Sequence, residues 1–161
     1  MTLIEHSIPI RCTPRALYDY VTQPWRWHEW HPSSKSATAA TDVLQAGDTY
    51  TEIIELQPFA LLPLRVRRQL SYEVLVATPP REWAVRGTSR GSVMNLRYRF
   101  EPTAEGVNFT RTLSYQISGP LAVFGPFLAR QNRRVSVVAL ASLTRIMEAR
   151  TSQSPTASGP D

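Results

Sequence analysis

Six strand-like runs joined by hairpin-length turns, with one long amphipathic helix after them, leave this chain few ways to fold. The runs fall at about Ser36–Thr41, Thr49–Leu56, Leu64–Ala77, Glu82–Ser89, Ser92–Glu101 and Val107–Ser118. Their breaks carry turn residues: Ala46-Gly47-Asp48, Pro79-Pro80, Arg90-Gly91 and Glu105-Gly106. Connections this short exclude crossover helices and predict an antiparallel meander. A meander alone cannot bury its apolar face, so the helix at the end must cover it.

That helix is expected from about Pro126 to Arg150, opened by Gly125-Pro126. Leu128, Val135, Val138, Ser142 and Ile146 recur at helical spacing and predict the inward stripe. Ahead of the meander, Ile4, His6, Ile8 and Ile10 alternate with more polar neighbours, as in a half-buried strand. Thr13-Pro14 then supplies an N-cap and a first-turn proline for a short helix to about Val21. A second short helical segment, Trp25 to His31, closes at Pro32. The expected class is α+β: seven antiparallel strands, two short helices after the first, and a long C-terminal helix.

At 161 residues the chain has the length of one domain, expected over residues 1–150. Thr151 to Asp161 is Ser, Thr, Pro, Gly and Ala with one charge, a composition that predicts a disordered tail. No run reaches the roughly 18 apolar residues that a membrane span needs. The first ten residues lack the basic and apolar regions of a secretory signal. With Cys12 as the lone cysteine, no internal disulfide forms, and a cytoplasmic location is expected. The net charge is +5 and Lys35 is the only lysine. No zinc-finger spacing or RNA-binding motif accompanies the arginines, so a solvated surface is expected and nucleic acid is not.

Several segments resemble the SRPBCC (START-like) polyketide cyclase/dehydrase family. Ser7-Ile8-Pro9-Ile10 followed by Thr13-Pro14-Arg15-Ala16-Leu17-Tyr18 is similar to its opening strand and helix. Pro24, Trp30 and Pro32 match its second segment, and Ala46-Gly47-Asp48 its glycine turn. Glu105-Gly106-Val107 resembles the start of its last strand, with Val107 where threonine is usual, and Leu143 to Glu148 fits its terminal helix. The resemblance spans about residues 3 to 149. It implies the helix-grip fold, a curved seven-stranded sheet wrapped round the long helix with a cavity between. It implies no single reaction, since members include cyclases, lipid and quinone carriers, and receptors.

Alternation assigns the wall of that cavity, because every second strand residue faces one side. His6, Glu52, Arg68 and Arg111 all fall on inward positions among apolar neighbours. Glu52 and Arg68 lie about equally far from their connecting loop and are expected to pair, with Arg111 reaching the rim. Alternatively, one arginine is left to hold a ligand oxyanion with its fork of donors. Tyr72, Trp83, Met94, Tyr98, Phe100, Phe109 and Tyr115 share the inner parity. They suit a flat ligand, or equally a filled core. The candidate ligand-binding set is therefore Arg68, Arg111, Glu52, His6, Tyr72, Trp83, Met94, Tyr98, Tyr115 and Trp30; no catalytic residue is assigned.

His28 and His31, with Glu29 and Cys12, contain no complete metal-ligand pattern, and neither metal nor cofactor is expected. Trp30 is expected to pack under the short helix, with its neighbours capping the cavity and His28 or His31 available as a base. Meander topology brings the segments Phe59–Leu64, Arg90-Gly91 and Pro120–Phe127 to one end. There, apolar loops collared by Arg65, Arg67, Arg90, Arg130, Arg133 and Arg134 suit either mutual packing or contact with an anionic membrane. The leading functional expectation is binding of a hydrophobic small molecule or lipid, in a carrier or sensing role. The alternatives are a cyclase/dehydratase-like enzyme using Arg, Tyr or His, and a regulatory interaction module.

Overall fold

A computed structural model describes residues 1–57, 63, 65–119, 122–123 and 125–153. Its strands are β1 (Thr2–Ile10), β2 (Ser34–Ala39), β3 (Thr49–Leu56), β4 (Val66–Thr78), β5 (Glu82–Ser89), β6 (Ser92–Thr103) and β7 (Gly106–Ile117). Between β1 and β2 come α1 (Pro14–Val21) and a 3-10 helix (Pro24–Glu29), and α2 (Gly125–Gln153) follows β7. The strands form one sheet in the order β1-β7-β6-β5-β4-β3-β2, every neighbouring pair antiparallel. This is the helix-grip arrangement: six consecutive hairpin partners, with β1 closing on β7.

Local chemistry sets the element ends. Thr13 accepts a hydrogen bond from the Ala16 amide at 3.1 Å, capping α1, and Pro14 stands where no amide donor is needed. Gly106, which opens β7, has φ +154°, and a Cβ there would overlap the Ile10 carbonyl oxygen. Only glycine lets β7 approach the end of β1 this closely.

The expectations for three elements need correction. The strand foreseen at Ser36–Thr41 runs from Ser34 to Ala39, with a bulge between Ser34 and Ser36 that turns the Ser34 side chain into the core. The fully buried face of α2 is Ser136, Ala139, Leu140, Leu143 and Met147, while Val138, 53% exposed, points to solvent; Leu128, Val135, Ser142 and Ile146 are half-buried, Val135 lining a cavity and Ile146 packed against the core. Five of the six residues from Val135 to Leu140 are apolar, so periodicity alone could not choose a face. Residues 151–153, expected in the tail, continue α2; residues 154–161 lie outside the described residues.

The core is aromatic at its centre. Tyr50 stacks on Tyr72 with centroids 4.8 Å apart, and Trp83 stacks between Tyr50 at 6.4 Å and Tyr98 at 5.5 Å. Trp27 meets Tyr50, Tyr72 and Trp83 edge-on at 6.0–6.2 Å, the geometry that sets a positive ring edge against negative faces. Its indole N–H donates to the Val21 carbonyl at 2.8 Å, which fixes the 3-10 helix against α1.

Candidate functional site

Strand parity places Glu52 at the middle of β3 and Arg111 at the middle of β7, both on the concave face. They are 3% and 6% exposed, so two charge-bearing groups occupy the interior. Sheet curvature sets them across a cavity of about 80 Å³ between the sheet, α2 and the segment from Trp27 to Ser33. Tyr72, Met94 and Tyr98 form its floor, and Asn132, Val135 and Ser136 of α2 close it.

Gly87 on β5 makes room for this floor. It is the cross-strand neighbour of both Tyr72 and Met94. A Cβ at Gly87 would lie 2.6 Å from the Tyr72 ring and 2.9 Å from the Met94 side chain. The Tyr72 hydroxyl lies 3.2 Å from the Met94 sulfur and donates to it.

Arg111 donates through Nη1 to the Ser136 hydroxyl at 2.8 Å, tying β7 to α2. Its Nη2 lies 3.5 Å from His31 Nε2. Its Nε is buried with no hydrogen-bond partner among the described residues. No oxygen of Glu52 lies within ion-pairing reach of Arg111 among the described residues. Burial pushes the Glu52 carboxyl up to about 7, against the opposing pull of the Ser34 and Tyr72 hydroxyls and the Arg111 charge. Burial, aided by Arg111, holds His31 down at about 3. Burial also lifts the Tyr98 hydroxyl to about 12, with Arg111 opposing. Beside the Arg111 guanidinium the cavity therefore favours a neutral imidazole, neutral phenols and a carboxyl whose ionisation burial opposes.

The expected site residues divide. Glu52, Arg111, Tyr72, Met94 and Tyr98 line one cavity. The Glu52–Arg68 pair does not form: Arg68 faces Ile54 in the register, Glu52 faces Leu70, and Arg68 has no ion pair among the described residues. Arg111, expected at the rim, is the interior arginine. Trp83, Trp30 and Tyr115 are buried core residues outside the cavity lining, and half-buried His6 lies beside it, opposite Arg111 in the β1–β7 register. Trp27, His31, Asn132 and Ser136 are among its further lining residues. Of these, the sequence places Trp27 among the residues capping the cavity and His31 there as an available base, while Asn132 and Ser136 carry no such signal.

A larger hollow of about 730 Å³ lies on the outer face of β3–β5, lined by Thr51, Ser71, Glu73, Arg86 and Thr88. It is a broad, open trough where few titratable groups meet. The Trp25–His31 stretch gathers no metal-ligating set. His28 is exposed, and Glu29 is engaged by the Tyr20 hydroxyl at 2.6 Å and by Arg26 at 2.9 Å. Among the described residues, no group of three His, Cys, Asp or Glu could hold a metal ion.

The arginine collar is also redistributed. Arg65 and Arg67 both pair with Glu55, at 3.4 and 3.1 Å. Next to the segments expected to converge, the Ser118 amide donates to the Gly91 carbonyl at 2.8 Å and the Gln131 side chain to the Gln57 carbonyl at 2.6 Å. Of the apolar loops, Phe59–Leu62, Leu64, Pro120, Leu121 and Phe124 lie outside the described residues. No described helix is long and apolar enough to cross a membrane.

Residues 1–148 match the sequence profile of the family described as "Polyketide cyclase / dehydrase and lipid transport". The chain belongs to that family. The match to this polyketide cyclase/dehydrase and lipid transport family spans the whole sheet and most of α2. No curated protein matches the chain in sequence. Solved structures share the family fold at low identity. A protein of Thermus thermophilus superposes with a TM-score of 0.71 at 13% identity, over 93% of this chain and 99% of that one. A conserved protein from Geobacillus kaustophilus gives 0.71 at 15% identity, over 93% and 97%. The di-domain ARO/CYC StfQ from the steffimycin biosynthetic pathway gives 0.69 at 14% identity, over 93% of this chain and 51% of that one. Family and fold together point to ligand binding in a hydrophobic pocket.

Proposed function

We propose that this chain binds a hydrophobic small molecule or lipid whose oxygen-bearing end is held by Arg111 beside Glu52, in a carrier or sensing role. The observation that carries the reading is the buried Arg111 Nε without a partner among the described residues. A buried guanidinium donor left unmade costs more than most single interactions contribute, so a ligand oxygen there would be well placed. The cavity of about 80 Å³ accommodates that polar end and not a ring system. Pockets for whole ligands span roughly 300–1,000 Å³. The apolar body would therefore leave past Leu56 and Val135, or α2 would move outward on loading. The lone buried Cys12 supports a reducing compartment, which we take to be the cytoplasm.

Native mass spectrometry of the purified protein, with organic extraction, tests this reading. A stoichiometric amphiphile bearing a carboxylate, enol or phenol is expected. An empty protein, stabilised by no acidic aromatic compound in a thermal-shift screen, would overturn it.

One observation favours a second reading, a cyclase- or dehydratase-like enzyme. A carboxyl pushed up to about 7 by burial, in one cavity with a guanidinium, suits proton transfer at neutral pH with stabilisation of an enolate oxygen. In that case Glu52→Gln would lower kcat on a poly-keto substrate by about 100-fold or more and abolish the pH-rate flank near 7. A substrate turned over equally well by the variant would exclude this role.

A further inference from the structure

We infer that the outward face of the N-terminal half of α2 is a docking surface for an anionic lipid bilayer. Val137 and Val138 are 55% and 53% exposed on this face, and Ala141 extends the apolar strip by one turn. Arg130, Arg133 and Arg134 flank it, all exposed and none ion-paired among the described residues. The segment from Gly106 to Met147 contains no Asp or Glu at all.

Such a face is costly unless something covers it. Arg130 meets Arg133 and Arg134 at i, i+3 and i, i+4, spacings at which like charges destabilise a helix. The first turn of α2 lacks the acidic residue that its dipole would favour. Exposed valines between arginines and without acids are the composition of a helix that lies in a membrane interface. The charge decides between occupants. A second copy would bring the same arginines against this face, whereas anionic headgroups neutralise them.

The position gives docking a consequence. Asn132, Val135 and Ser136 close the cavity from the inner side of the same two turns that carry Arg133, Arg134, Val137 and Val138 outside. A bilayer engaging the outer face would therefore hold the cavity's cover at the lipid surface. This use of the surface rests on the carrier reading; the docking itself does not.

The test is co-sedimentation of the full chain with vesicles of phosphatidylcholine alone or mixed with phosphatidylglycerol. Binding only to the mixed vesicles, weakening steeply as salt is raised, is expected. Arg133→Gln with Arg134→Gln should weaken Kd by roughly thirtyfold, the worth of two arginines at such a surface. Val137→Gln with Val138→Gln should also weaken it, with circular dichroism unchanged in both double variants. Arg111→Met should leave vesicle binding intact, so docking and cargo binding fail separately. No binding at low salt, or equal binding to both vesicle types, overturns the inference. So does a concentration-dependent dimer that the valine variant dissolves, which would make a second copy the occupant.

Discussion

His31 Nε2 lies 3.5 Å from Nη2 of Arg111, at the wall of the cavity, where His31 is half-buried. A guanidinium can only donate, so a hydrogen bond between them requires the Nε2 lone pair and the imidazole proton on Nδ1. Burial and the adjacent cation both oppose a second proton, holding His31 at about 3 against an ordinary 6.5. Glu52, across the same cavity, is displaced the other way, to about 7 from 4.5. In each case burial favours the neutral form.

These two shifts predict how stability follows pH. His31 stays neutral in the fold and takes up a proton on unfolding below 6.5, so its contribution is complete above 6.5 and lost as pH falls towards 3. Glu52 keeps its proton in the fold, so its contribution is complete below 4.5 and lost as pH rises towards 7. Between 4.5 and 6.5 the two slopes cancel. Glu52→Gln should expose a stability that rises with pH from 3 to 6.5, by up to about 1.4 kcal/mol per pH unit. His31→Asn should expose the opposite trend between 4.5 and 7. Urea unfolding across pH reads both, and parallel curves for the two variants would refute the assignment.

Gly87 is predicted to accept no side chain. An added Cβ meets the Tyr72 ring at 2.6 Å, and Tyr72 is itself stacked on Tyr50, so the ring has little freedom to retreat. Gly87→Ala should cost about 1–3 kcal/mol of unfolding free energy, the usual penalty of overpacking. It should also disturb the cavity floor, reducing any thermal shift given by an acidic aromatic ligand. A variant as stable as the native chain would show that the floor can repack.

Trp27 is predicted to be the most costly core truncation. Its ring touches the stacked Tyr50, Tyr72 and Trp83 edge-on, and its N–H satisfies the Val21 carbonyl. Trp27→Ala should cost about 3–5 kcal/mol, whereas Trp30→Ala, at the margin of this cluster, should cost less. Denaturant unfolding of the two variants, with equal losses as the adverse result, decides the point.

The period of two is enough to send Glu52, Tyr72, Met94, Tyr98 and Arg111 inward, because alternation depends only on local backbone geometry. Which residues face one another across the cavity is not legible, since Glu52 and Arg111 are brought to its opposite sides by the curvature of five adjacent strands. Counting from a hairpin loop therefore favours Arg68 wrongly: the β3–β4 register sits two residues from the one required. Ser136 is hidden for a different reason. The apolar run around it offers two faces, and the choice is made by what small residues allow α2 to approach. Trp27 carries a usable signal, as the middle tryptophan of three at spacings of two and three residues, flanked by polar neighbours. Local pattern gives no measure of how many rings would meet it.

Arg111→Met separates the anchoring role of Arg111 from a merely structural one. Replacing a buried charge by an apolar side chain of similar length is often neutral or stabilising, although the Ser136 hydroxyl loses a donor worth about 1 kcal/mol. The variant should therefore fold with stability within about 2 kcal/mol of the native chain. Arg111 is one of the influences holding the Glu52 pKa down, so its removal should raise that pKa further, measurable by carboxyl NMR titration. Thermal stabilisation by an acidic aromatic probe such as 2-naphthoate should disappear. Arg111→Lys sharpens the test. It keeps the positive charge and so should largely preserve the Glu52 titration, yet it has no Nε donor or planar fork and should not restore probe binding. Restored binding in the lysine variant would mean that charge alone holds the ligand and that the unpartnered Nε is incidental.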